Sequence, residues 1–165
     1  MRGLLRLSIV MFDAGYTHTA LVERAEKWLL GARQCSVVIT EIGIWSTNEI
    51  PDVLGFTARH SVLVECKTSR ADFFGDAKKV FRREAERGMG NFRFYLCPAG
   101  LIKAEEIAAP WGLVYVYPAR ARQVKKADFC EANLKAERAI LLAIARRAQS
   151  KGLMPEICKP LPRLG

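Results

Sequence analysis

The chain lacks paired cysteines. Its five, Cys35, Cys66, Cys97, Cys130 and Cys158, are odd in number, widely spaced and free of any CxxC pair, which argues against a disulfide framework and against the usual zinc-ligand spacings. A reducing cytosol fits that usage. Cys66 and Cys97 stand in apolar strand-like runs and read as buried, inert thiols. A long apolar run is also missing: nothing approaches the roughly 18 residues of a membrane span, so no membrane partner is expected. Histidine is scarce, and neither His18 nor His60 has a partner at ligand spacing, so neither is assigned chemistry. No internal repeat, low-complexity linker, helix-turn-helix or zinc-finger pattern occurs.

What is present is ordinary globular material, 50% hydrophobic and 26% charged over 165 residues, long enough for one domain with a core of its own. Acid is the minority charge. With 26 Lys and Arg against 17 Asp and Glu, the net charge of +9 favours an acidic partner, of which nucleic acid is the commonest. A basic surface kept for solubility is the other reading, and charge alone leaves both open. The excess is C-terminal: residues 120–163 hold eleven basic and four acidic side chains, a candidate second contact surface for DNA. The opening "MRGLLRLSIVMF" is basic then apolar, but Arg6 interrupts it and no small-x-small cleavage site follows. It reads as part of the fold or a loose extension, with Met11 an alternative start.

Hydrophobic periodicity predicts a helix over 17–32 with Leu21, Val22, Ala25, Trp28, Leu29 and Ala32 on one face. Three strands follow in "CSVVITEIGIW", "EIPDVLGF" and "SVLVECKT", the last two a hairpin. Ser69 and Asp72 make an S-x-x-D start to a second helix over 69–87, with Phe73, Phe74, Ala77, Val80 and Phe81 as its apolar stripe. "NFRFYLC" and "WGLVYVY" are strands, and 131–148 is a closing helix with Leu134, Leu141, Ile144, Ala145 and Ala148 on one face. The predicted order is α-β-β-β-α-β with an added strand and helix: an α/β domain with a core over about 17–97, an extension over 111–150 and an irregular tail over 151–165. The three tryptophans Trp28, Trp45 and Trp111 and the Phe stripe are expected in the core.

Charge inside two of the apolar runs carries the chemistry. In "SVLVECKT" alternate side chains share a face, so Glu65 and Lys67 are neighbours about 7 Å apart along the strand. A hairpin turning at Ala58 and Arg59 sets Asp52 opposite Glu65, within about 5.5 Å at the β-carbons. Two carboxylates held so close repel and resist desolvation. A divalent cation relieves both costs, and carboxylates completed by water and phosphate are what magnesium or manganese prefers. With Lys67 beside the developing charge, the chemistry implied is phosphodiester hydrolysis.

On Pro51-Asp52 and Glu65-Cys66-Lys67 the chain resembles the PD-(D/E)xK nuclease superfamily, with its restriction-endonuclease-like fold. The stretches "ECKTSRADFFGDAKK", "YLCPAGLI" and "WGLVYV" further resemble MmcB-like DNA repair proteins and their phage-encoded relatives. The resemblance implies a magnesium- or manganese-dependent deoxyribonuclease of a bacterial or phage-infected cytoplasm, active in DNA repair, recombination or phage DNA processing. It places the metal on Asp52, Glu65 and Cys66, with Lys67 assisting the nucleophile. It also implies a glutamate from the first helix; the resemblance favours Glu23, whereas the helical wheel favours Glu26, and both stay open. Glu41 either faces water or points toward the site, and Glu49 belongs to the approach loop. Lys78, Lys79, Arg82 and Arg83 form a basic helix face suited to phosphate contacts, or an ordinary solvated one. A DNA-binding repair or anti-defence accessory without hydrolytic activity is the alternative function, since fold does not guarantee chemistry. A homodimer would suit paired cuts and a monomer nicking.

Overall fold

A computed structural model describes residues 15–43, 49–76, 78–79, 84 and 87–159. Thr17 opens α1 (His18–Gly31) by accepting the Ala20 N–H at 3.2 Å, which satisfies one free amide of the first turn. The apolar stripe read from the sequence is the buried one: Leu21, Val22, Ala25, Trp28 and Leu29 are all inside. Each large side chain among them contributes about 1.5–3 kcal/mol by leaving water.

β1 (Val37–Thr40), β2 (Val53–Phe56) and β3 (Ser61–Cys66) form an antiparallel meander. The β2–β3 turn falls at Ala58 and Arg59, closed by the Thr57 N–H donating to the His60 carbonyl at 2.9 Å. The chain then crosses through α2 (Arg70–Asp76) to β4 (Phe92–Pro98), parallel to β3. β5 (Gly112–Val116) lies parallel to β4, and β6 (Ala121–Lys125) returns antiparallel to β5. The result is one six-stranded mixed sheet in the order β1-β2-β3-β4-β5-β6, closed by α3 (Leu134–Ser150) and the short α4 (Met154–Ile157).

Every residue of β3 is buried, because both sheet faces are covered and a central strand then needs no polar side. Val62, Val64 and Cys66 pack under α1 with Val53, Phe94 and Leu96. Leu63 faces the other way, with Leu54, Tyr95, Leu113, Phe73 of α2 and Ile140 of α3. Trp28 and Trp111 are core residues, as expected.

The structure departs from the periodicity in several places. β1 stops at Thr40, where Glu41 takes a left-handed φ of 47°; Trp45 lies outside the described residues. α2 stops at Asp76, the Lys78 and Lys79 amides donating to carbonyls three residues back, at Gly75 and Asp76. Ala77, Val80 and Phe81 of the expected stripe lie outside the described residues, and Phe74 is exposed. β6 is an added strand that the sequence did not announce: as a sheet edge it carries alternating half-exposed and exposed residues rather than an apolar face. The tail expected to be irregular contains α4, with Pro155 in its first turn, where a missing N–H costs nothing. Residues 1–14, with the N-terminal apolar run, lie outside the described residues. Among the described residues no helix is long and apolar enough to cross a membrane.

Candidate functional site

The β2–β3 register pairs Val53 with Val64 and thereby carries Asp52 opposite Glu65, as the hairpin turn required. One Asp52 oxygen accepts the Cys66 N–H at 2.8 Å. Lys67, one residue past β3, stays aligned with the sheet because its N–H donates to the Leu96 carbonyl at 2.9 Å. Glu65 and Lys67 are buried, at 3% and 4% exposure, and the Lys67 ammonium lies 3.8 Å from the Glu65 carboxylate. The three residues named from sequence are thus brought to one end of β3 and share a sheet face.

Further groups join them. Asp72 and Asp76, one turn apart on α2, approach the Lys67 ammonium at 3.8 and 3.5 Å. Asp76 is as buried as Glu65; it pairs with Lys79 at 2.7 Å and accepts the Tyr95 hydroxyl at 3.2 Å. From the other side, His18 at the start of α1 sets its Nε2 3.5 Å from Asp52 and 3.3 Å from Glu41. His18 was assigned no chemistry from sequence, because its partners are remote along the chain. The residue that α1 sets against Asp52 is therefore His18; Glu23 is exposed and Glu26 half-buried on the same helix. Glu41 meets His18 while its side chain stays 53% exposed, and Glu49 is buried in the approach loop, accepting the Met89 N–H at 2.8 Å. Asp76 had a local signal in "DFFGD": a second carboxylate one helical turn after Asp72.

Among the described residues, Asp52, Glu65, Asp72, Asp76 and Glu41 meet Lys67, Lys79 and His18 in ion pairs. Burial pushes the Asp52 carboxyl above its ordinary value, opposed by the Cys66 N–H, His18 and Lys67 and reinforced by Asp76. An all-oxygen donor set of carboxylates fits a small hard cation. Among the described residues no three His, Cys, Asp or Glu side chains form a ready-made metal cage. The Cys66 thiol is not a ligand candidate: it points to the α1 face, opposite Glu65, and burial pushes its ionisation far above the ordinary thiol range. Cys97 is likewise inert, pushed up to about 12 by burial. Of the basic residues after α2, Lys78 is exposed, Lys79 is tied to Asp76, and Arg82 and Arg83 lie outside the described residues.

No family model matches the chain, and no curated protein matches it. A solved structure does: the SPO1766 protein of unknown function from Silicibacter pomeroyi is 20% identical, over 88% of this chain and 94% of that one, with a TM-score of 0.60. At that identity the likeness speaks for the fold alone, an α/β sheet flanked by helices.

Proposed function

We propose that the chain is a magnesium- or manganese-dependent DNA nuclease with a restriction-endonuclease-like core, belonging to the PD-(D/E)xK superfamily. The observation that carries this reading is the convergence of Asp52, Glu65 and Lys67 at one end of a buried hairpin, on one face. The α1-β1-β2-β3-α2-β4 order supports it, and so does the burial that makes the Asp52 charge costly without a cation beside it.

Asp52 and Glu65 would hold the ion, and Cys66 could contribute only through its main chain. The chemistry supplied by such an ion when bound is polarisation of the phosphoryl oxygens and acidification of a water. The chain's own residues do the rest. The Cys66 N–H fixes the plane of the Asp52 carboxylate, and His18 braces its other oxygen. Lys67 would offer a buried ammonium where the oxygens of the pentacoordinate phosphorus gather negative charge, and burial strengthens that interaction. Lys78 is exposed and open to a neighbouring phosphate.

One observation favours the second reading, a DNA-binding accessory without hydrolysis. Lys67 is bracketed by Asp72 and Asp76 as well as Glu65, an arrangement that already occupies its ammonium with carboxylates of the chain itself. Incubation of labelled duplex, branched and single-stranded DNA with magnesium or manganese separates the two. On the nuclease reading the protein cuts at least one form, and Asp52→Asn or Lys67→Ala lowers the rate by about 100-fold or more while the circular dichroism spectrum is kept. Uncut DNA with every divalent ion, or full activity in both variants, would overturn it.

A further inference from the structure

The far end of β3 carries a second group of side chains that the nuclease reading does not use. The Arg33 guanidinium, just past α1, lies over three rings: 5.3 Å from Phe92, 5.5 Å from Phe94 and 5.9 Å from Trp28. Among the described residues no carboxylate pairs with it, and its Nε is buried without a hydrogen-bond partner. Among the described residues it is rings that hold this charge, which leaves it available to an anion.

Around Phe92 the aromatic group extends outward. His60 packs edge-on against it at 5.1 Å, and Phe129 does so at 5.8 Å. Phe129 is 61% exposed, and its neighbours along the chain keep it so. The Asp128 N–H donates to the Pro110 carbonyl at 2.9 Å, and the Cys130 N–H donates to the Asn91 carbonyl at 2.8 Å. Asn91 returns a bond from its side chain to the Cys130 carbonyl at 3.0 Å. A loop pinned on both sides therefore presents a bare phenyl ring to solvent, on the same Phe92 ring that the Arg33 guanidinium covers, and Arg59, exposed in the hairpin turn, adjoins His60 along the chain.

We infer that Arg33, His60, Phe92 and Phe129 form a stacking platform for the bases of single-stranded nucleic acid. Every base has an apolar face that an aromatic ring can cover, and its phosphate supplies the anion that Arg33 lacks. A duplex keeps its bases stacked on each other and offers no free face to Phe129. An apolar protein patch would have to desolvate Arg33 and Arg59 together. Ser61 opens β3 and Lys67 follows its last residue, six residues on, so this platform lies about 20 Å from the carboxylate cluster. It stands without the nuclease reading, and its test needs no metal.

Fluorescence anisotropy would be measured in EDTA at low salt with labelled oligothymidylate of about fifteen nucleotides, its abasic counterpart and a duplex. The inference expects oligothymidylate to bind the wild type at least fivefold more tightly than the abasic strand. Phe129→Ala should erase that difference, and Phe129→Trp should keep it. A photoreactive iodouracil in the strand should crosslink to Phe129 or His60. Equal binding of the two strands, an unaltered Phe129→Ala, a crosslink at the Asp52 end, or no binding at all would each overturn it. Loss of DNA cleavage in Asp52→Asn with this binding intact would leave the two proposals separately judged.

Discussion

At Asp52 the fold favours the protonated form, because burial raises the carboxyl above its ordinary value of 3.8. A raised folded-state value means that the stabilising contribution is complete below pH 3.8 and is lost as pH rises through the folded value. Asp52→Asn removes the titration while keeping an acceptor for the Cys66 N–H. Its melting temperature should match the wild type in acid and move above it as pH climbs through the carboxylate range. An ion on Asp52 cancels the same cost, so saturating magnesium at neutral pH should raise the wild-type melting temperature by roughly 5–10 °C and leave Asp52→Asn nearly unmoved. Scanning calorimetry across pH, with and without magnesium, checks both; a magnesium shift shared by the two proteins would place the ion elsewhere. Asp52, Glu65 and Lys67 were legible in the sequence because strand alternation is a local rule. His18 and Asp76 were not assigned, since their roles depend on where two helices meet the sheet.

The helix α3 shows the limit of periodicity at the element scale. Leu134 and Leu141, expected on its inner face, are 69% and 43% exposed, while Glu137 and Ile140 are buried. Ile144 does pack inward. The reason is polar satisfaction: the Ser61 hydroxyl donates to Glu137 at 2.6 Å and the Gly90 N–H does so at 2.8 Å, and each buried donor left unmet would cost about 1–3 kcal/mol, on the scale of what an exposed leucine forgoes. Gly90 has φ +83°, and a β-carbon there would fall 2.6 Å from Leu63, so the chain passes close enough to β3 for Glu137 to bind both. Glu137→Ala should therefore cost about 2–3 kcal/mol in urea unfolding, with faster amide exchange along α3 and the Asp52 end protected as before. β6 escaped notice for a related reason. An edge strand with Arg122 and Val124 outward and Lys125 reaching the Ala104 and Ile107 carbonyls has no apolar face to read.

Over the whole molecule the net charge of +9 has a direct consequence if DNA is the partner. Duplex affinity measured in EDTA should fall about tenfold or more between roughly 50 and 200 mM salt, because each phosphate neutralised releases counterions; a flat response would make the charge a solubility device. Composition and alternation by themselves determined a great deal: an α/β chain, a β2–β3 hairpin, and Glu65 and Lys67 on one face of it, with Asp52 joining them once the turn falls at Ala58 and Arg59. These follow from rules that act within a strand or across one turn, where neighbours along the chain are neighbours in space. Only the tertiary structure decided that α1 delivers His18 rather than a glutamate to Asp52, that α2 closes two more carboxylates around Lys67, and that Arg33 and Phe129, ninety-six residues apart, flank the same ring. Helix docking angles and loop anchoring set those meetings, and they are fixed by the packing of a whole core rather than by any stretch of residues.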